Sequence, residues 1–218
     1  MTDQQRELEL LRQENAQLKQ ALEQEKVRSM NFAREAFLVD LLGKHQLTGK
    51  EYRQSLRELE LNFPTPWFAV ILIQVEPDIP ALLGPKAAIS QESLRYVRFL
   101  VRNVLEELIG EKHICHVVTV QGQLTALVNL SEGTEAAMDT VEQAAQRAAS
   151  LFESHYDSAV LFSISRCHQG YQQIHEAYQE AESLMQYRIM AEDDASVIRY
   201  DQKTEVHMEK RRVEHFEF

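Results

Sequence analysis

Along this chain the spacing of apolar residues changes, and each change predicts a different element. In the first thirty residues, which hold no Gly or Pro, Leu8, Leu11, Asn15, Leu18 and Leu22 follow one another at alternating steps of three and four. Such a pattern places Leu8, Asn15 and Leu22 at the a positions of a heptad, and Leu11 and Leu18 at d. Glu7 and Glu14 then fall at g, with Arg12 and Lys19 at e. These are the spacings that permit Glu7–Arg12′ and Glu14–Lys19′ pairs in a parallel, in-register dimer. Asn15 at a core position reinforces that reading, because a buried Asn satisfied by its twin penalises other registers and oligomers. The stripe is narrow, whereas a single helix lying on a globular domain needs a wider one. After Leu22 the seam fades, since Glu25 and Ser29 take the next d and a positions.

From Phe32 the apolar face broadens. "FAREAFLVDLLG" continues the helix to Gly43, and "GKEYRQSLRELEL" predicts a second helix that starts near Thr48 and stops before Pro64. We therefore divide the chain into a coiled-coil signalling helix (1–43), a helical connector (44–65) and a mixed domain (66–218). In that domain "WFAVILIQVE" reads as a buried strand and "SQESLRYVRFLVRNVLEELIG" as a helix with Ser90 as candidate N-cap. "VVTVQGQLTALVNL" reads as a hairpin turning at Gln121-Gly122. A helix capped by Thr134, the strand "SAVLFSIS", the helix "YQQIHEAYQEAESLMQYRIM" and an edge strand "SVIRY" complete the series. The expected fold class is α+β: a coiled-coil helix, then a ferredoxin-like β-α-β-β-α-β domain, its antiparallel sheet covered by helices on one face.

Composition narrows the function. At 218 residues and 44% apolar the chain is an ordinary globular protein. A net charge of −11 argues against a surface built to hold nucleic acid. The cluster Lys210-Arg211-Arg212 is short and flanked by Glu209 and Glu214, a solvated surface. Cys115 and Cys167 form no disulfide framework and suit a reducing compartment. The longest apolar run, "WFAVILI", is too short to span a bilayer, and no secretory leader opens the chain. A cytoplasmic location without direct membrane contact follows.

Candidate chemistry is sparse. "HICH" (113–116) would put His113 and Cys115 on one strand face and His116 on the other, which is no zinc site. Cys167 and His168, beside Ser163 and Ser165, are adjacent on a strand and point opposite ways, with no nucleophile elbow present. Glu106/Glu107 and Asp193/Asp194 read as solvated charge at a helix end and in a turn. Tyr171, Tyr178 and Tyr187 share helical spacing with Ile174, Ala181 and Leu184, which assigns them to the core or its edge. Its seven glycines do not cluster into a phosphate loop.

"REAFLVDLLGKHQLTGKEYRQSLRELELNFPTPWFAVILIQVE" and "IHEAYQEAESLMQYRIM" followed by "SVIRY" resemble the region ahead of the DNA-binding domain in large AraC-type transcriptional regulators of Gram-positive bacteria. The likeness covers roughly residues 30 to 201. That region in turn resembles a degenerate GGDEF diguanylate cyclase domain. In active cyclases, carboxylates on the first strand and in the signature hairpin hold two divalent metals that align a triphosphate. Here the first-strand position falls at Gln74, the next carboxylate near Glu76, and the hairpin's acidic positions at Gly122 and Gln123. The resemblance thus implies a domain without catalytic, metal or cofactor residues. It implies a parallel homodimer that relays a signal from an upstream receiver or sensor domain, as in a two-component system. DNA would be reached only through a helix-turn-helix domain outside this chain. A different function class is a domain that still binds a nucleotide or other small effector without turnover. A third is a plain coiled-coil adaptor.

Overall fold

The structure, a computed structural model, describes residues 3–43, 47–75, 91–156, 159–191 and 195–200. It divides into two compact units, Met1–Leu38 with Thr48–Leu61, and Val39–Leu47 with Asn62–Phe218.

The first unit is helical. Helix α1 runs unbroken over Asp3–Leu42, its last turn belonging to the second unit. Helix α2, Gly49–Glu58, begins at the expected cap. The Thr48 side chain accepts from the Glu51 N–H, while the Glu51 carboxylate accepts from the Thr48 N–H at 2.8 Å, a closed capping box. The Arg34 guanidinium of α1 donates to the Leu59 carbonyl at 2.6 Å and pairs with Glu60 at 3.1 Å. The Phe37 ring lies 6.4 Å from that of Tyr52. One side of α1 is thereby tied to α2 and the turn behind it.

The second unit is built on a sheet whose strands are β1 (Trp67–Val75), β2 (Ile114–Val120), β3 (Gln123–Asn129), β4 (Val160–Ile164), β5 (His168–Gln169) and β6 (Val197–Arg199). Between them come α3 (Gln91–Gly110), α4 (Glu135–Tyr156), a short 3-10 turn at Tyr171–Gln173 and α5 (Ile174–Ala191). The strand order is β2-β3-β1-β4-β6, with β5 pairing the start of β1. β1, β2, β3 and β4 pair antiparallel, and β6 runs parallel to β4. Ser90 lies outside the described residues, but Thr134 caps α4 by accepting from the Ala137 N–H at 3.2 Å. At the hairpin Gln121 and Gly122 both take positive φ, 50° and 85°. A type I′ turn requires that pair of angles, and its twist matches the flanking strands.

The expectation that helices cover one face is corrected. Ala69, Ile71 and Ile73 share a core with Val97, Val101 and Leu105 of α3 and Val141, Ala145 and Phe152 of α4. Phe68, Val70 and Leu72 alternate onto the opposite face, where α5 packs on β1 and β4. There Ser163 of β4 donates to the Ala181 carbonyl of α5 at 2.8 Å. The reason is local: β1 is apolar on both sides up to Gln74, and neither side can be left to water.

Two further features were not expected. After β4 the Ser165 hydroxyl accepts from the Val70 N–H at 2.9 Å, a side chain standing in for a ladder carbonyl before β5 rejoins β1. The edge strand β6 is pinned by Arg199, which pairs with Asp139 at 2.9 Å, with Glu142 at 3.5 Å and with Glu135, all on α4.

Trp67 packs directly over Gly133, where an added Cβ would fall well inside contact distance of the indole ring. Gly133→Ala is expected to cost about 1–3 kcal/mol in denaturant unfolding. Gly110→Ala, at a helix end with open space around it, should leave stability unchanged or slightly raised.

Candidate functional site

Ile73 stands opposite Leu124 in the β1–β3 register, so Gln74 and the start of β3 meet at the hairpin end of the sheet. Gln74 is half-buried opposite Leu161 of β4. The Gln123 side-chain amide donates to the Ile73 carbonyl and ties the hairpin to β1. The positions that sequence reasoning singled out therefore do converge. What they bring together is two carboxamides and a positive-φ glycine, Gly122. Amide oxygens are neutral, whereas a pair of divalent cations is held by carboxylates. Glu76 lies outside the described residues.

A denser polar cluster sits at the other end of β1. Glu180 of α5 is buried, and its carboxylate accepts from the Arg166 backbone N–H at 3.0 Å and from Arg166 Nε at 2.9 Å. His168 Nε2 stands 2.9 Å from the same carboxylate. Burial alone would raise the Glu180 pKa, but the hydrogen bonds from His168 and Arg166 outweigh it and hold the carboxyl below the usual range. The Arg166 guanidinium also lies 4.9 Å over the Tyr200 ring, so the cluster reaches the residue that follows β6. Among the described residues, His168, Glu176 and Glu180 form the one group close enough to share a metal ion. Glu180 already spends both oxygens on Arg166 and His168, which fits an internal ion pair better than a ligand set. Sequence reading weighed His168 against Cys167 and the nearby Ser163 and Ser165. Its true partner is twelve residues on, across the β5–α5 turn.

The remaining candidates resolve individually. His113 precedes β2 and is held by hydrogen bonds at both ring nitrogens. Its Nδ1 accepts from the Ser131 N–H at 3.1 Å, and Nε2 lies 2.6 Å from the Thr140 hydroxyl. Burial lowers its pKa. His116 packs edge-on to Phe63 at 5.8 Å. Burial pushes both thiols up, Cys115 most strongly, and neither is poised as a nucleophile. Glu106 is a correction. It is no freely solvated charge, because its carboxylate accepts from the Val117 N–H of edge strand β2 at 2.7 Å, and burial raises its pKa. Glu107 is exposed, and Asp193/Asp194 lie outside the described residues. Tyr178 is buried, and the Tyr171 hydroxyl donates to the Leu47 carbonyl at 3.3 Å.

On α1, Arg12, Glu14, Asn15, Leu18, Lys19 and Leu22 are all exposed, with Leu18 at 67% and Leu22 at 59%. Glu7, Leu8 and Leu11 lie on the helix, but their side chains are outside the described ones. Among the described residues no helix is long and apolar enough to cross a membrane.

A mixed α/β domain with a long helix leading into it is the class of protein these features define. Residues 44–187 match the family described as the GGDEF-like domain, more than half of the chain, and the chain belongs to that family. A comparison with curated proteins finds no match.

The Glu180 cluster makes a pH prediction. A carboxyl held below its unfolded pKa stabilises the fold fully above the ordinary carboxylate range, and that contribution is lost as pH falls through the folded value. Glu180→Gln should lower unfolding stability by about 1–3 kcal/mol near neutrality. In urea titrations the gap between wild type and variant should shrink steadily as pH drops toward 3. A gap that stays constant with pH would contradict the assignment.

Proposed function

We propose that this chain is a non-catalytic dimerisation and signal-relay module of an AraC-type transcription regulator from a Gram-positive bacterium, acting in the cytoplasm. The observation that carries the reading is α1. It runs unbroken over Asp3–Leu42, ahead of the GGDEF-like match that begins at residue 44, and presents core-type leucines, Leu18 and Leu22, to solvent. Isolated leucines on a narrow heptad stripe are what a second helix covers.

In this reading the GGDEF-like domain is degenerate. Gln74, Gly122 and Gln123 supply no oxyanion where a cyclase holds its metals, and the Gln123–Ile73 hydrogen bond gives the hairpin a structural task. The sheet is of the ferredoxin-like kind. Support comes from the order β2-β3-β1-β4 with antiparallel neighbours, and from α3 and α4 as the two crossings. Twofold symmetry imposed by the coil would match paired DNA half-sites read by a helix-turn-helix domain outside these 218 residues. An upstream receiver or sensor domain would shift the coil between two packings. Such couplings are typically worth about 1–3 kcal/mol.

Light scattering should give the mass of a dimer at micromolar concentration. The double substitution Leu11→Asp, Leu18→Asp should give a monomer whose domain keeps its unfolding transition. A wild type that stays monomeric at high micromolar concentration contradicts the coil. The family match also favours a second reading, an effector-binding domain without turnover. Calorimetry with GTP and cyclic dinucleotides separates the two. The relay reading predicts no heat and no thermal shift, and saturable binding would favour the second.

A further inference from the structure

The seam that Glu25 and Ser29 interrupt does not end there. Counting the heptads on from Leu18 and Leu22 puts Phe32 at d and Ala36 at the following a. Phe32 is 75% exposed, and Ala36 is exposed as well. At about 100° per residue, Leu18, Leu22, Phe32 and Ala36 share one side of α1. Arg34, on the opposite side, and Phe37, on the flank between, are tied to the Leu59 carbonyl, Glu60 and Tyr52. Helix α2 therefore takes one face of α1 and leaves the seam face bare as far as Ala36.

We propose that a second copy of this chain covers that face, with Phe32 packing against its twin across the twofold axis. The seam then has two apolar stretches separated by a polar gap at Glu25 and Ser29. This rests on the parallel-dimer reading and extends it to a contact that the leucine pattern did not include. The occupant follows from continuity and charge. The bare face continues the Leu18–Leu22 stripe in the same register. A twinned Glu25 at d would be repulsive alone, but Lys26 at e and Arg28 at g place cations beside it from both copies. Phe32 anchors the end of the coil nearest the domain, where a change in packing would be passed on.

Disulfide trapping of the full chain, in a Cys115→Ala, Cys167→Ala background, tests this directly. Leu18→Cys reports the coil, Phe32→Cys the new contact, and Val27→Cys, at the outward f position, serves as control. Leu18→Cys and Phe32→Cys should each form a cross-linked dimer under mild oxidation, while Val27→Cys stays monomeric on a denaturing gel. With native cysteines retained, Phe32→Ala should weaken dimerisation about tenfold or more by sedimentation equilibrium, with domain unfolding unchanged. Trapping through Leu18→Cys but not Phe32→Cys, or an unchanged dimer constant for Phe32→Ala, would overturn the extension and leave the dimer standing. Failure of Leu18→Cys to trap would overturn the dimer reading, and this inference with it.

Discussion

The structure depends on one strand that is apolar on both sides. Trp67–Ile73 carries no polar residue, so β1 is stable only at the centre of a sheet with helices above and below. That need places β3 and β4 on its flanks and sets α3 and α4 against Ala69, Ile71 and Ile73. It also draws α5 onto the face of Phe68, Val70 and Leu72. Gln74 is the first residue along the strand that can face a polar site, and the hairpin meets β1 there. Among the described residues, Gln74, Gln123 and a tight turn are what meet at that edge.

Much of this was legible in the sequence because the signals were local. The Gln121-Gly122 turn, the start of α2 near Thr48 and the Thr134 cap each depend on residues a few positions apart, and each forms as the spacing implies, whereas the capping box that Glu51 closes went unread. What escaped the sequence was tertiary. The capping of Val117 by Glu106 depends on α3 lying along edge strand β2. The Glu180–His168–Arg166 cluster needs the chain to leave β1 at Ser165 and return, and nothing in "SISRCHQG" announces such a detour. The helix on the second sheet face was missed for a related reason. Element order alone does not say on which side a later helix packs, although the two-sided apolarity of β1 carried the hint.

Among the described residues, several polar groups of the kind that do chemistry are engaged in holding the fold. His113 fastens the loop before α4, Glu180 fastens the strand break, and Arg199 holds the last strand to α4. By contrast, among the described residues α1 leaves Leu18, Leu22 and Phe32 exposed along one line, besides Val27 on its far side and Tyr96 and Phe99 on α3. An exposed line of this kind stabilises nothing in a lone chain and is worth several kcal/mol when a partner covers it. That exposed line is why we propose that the function lies in the helix and its pairing.

The most direct test of that placement is a distance measured between two copies. A single spin label at Gln20 or at Val27, both at outward f positions of α1, should give one narrow inter-copy distance in pulsed dipolar spectroscopy. A parallel, in-register coil fixes it at roughly two helix diameters, about 20–25 Å, the same for both sites. Absence of dipolar coupling, or distances that differ between the two sites by the offset of an antiparallel pair, would contradict the account.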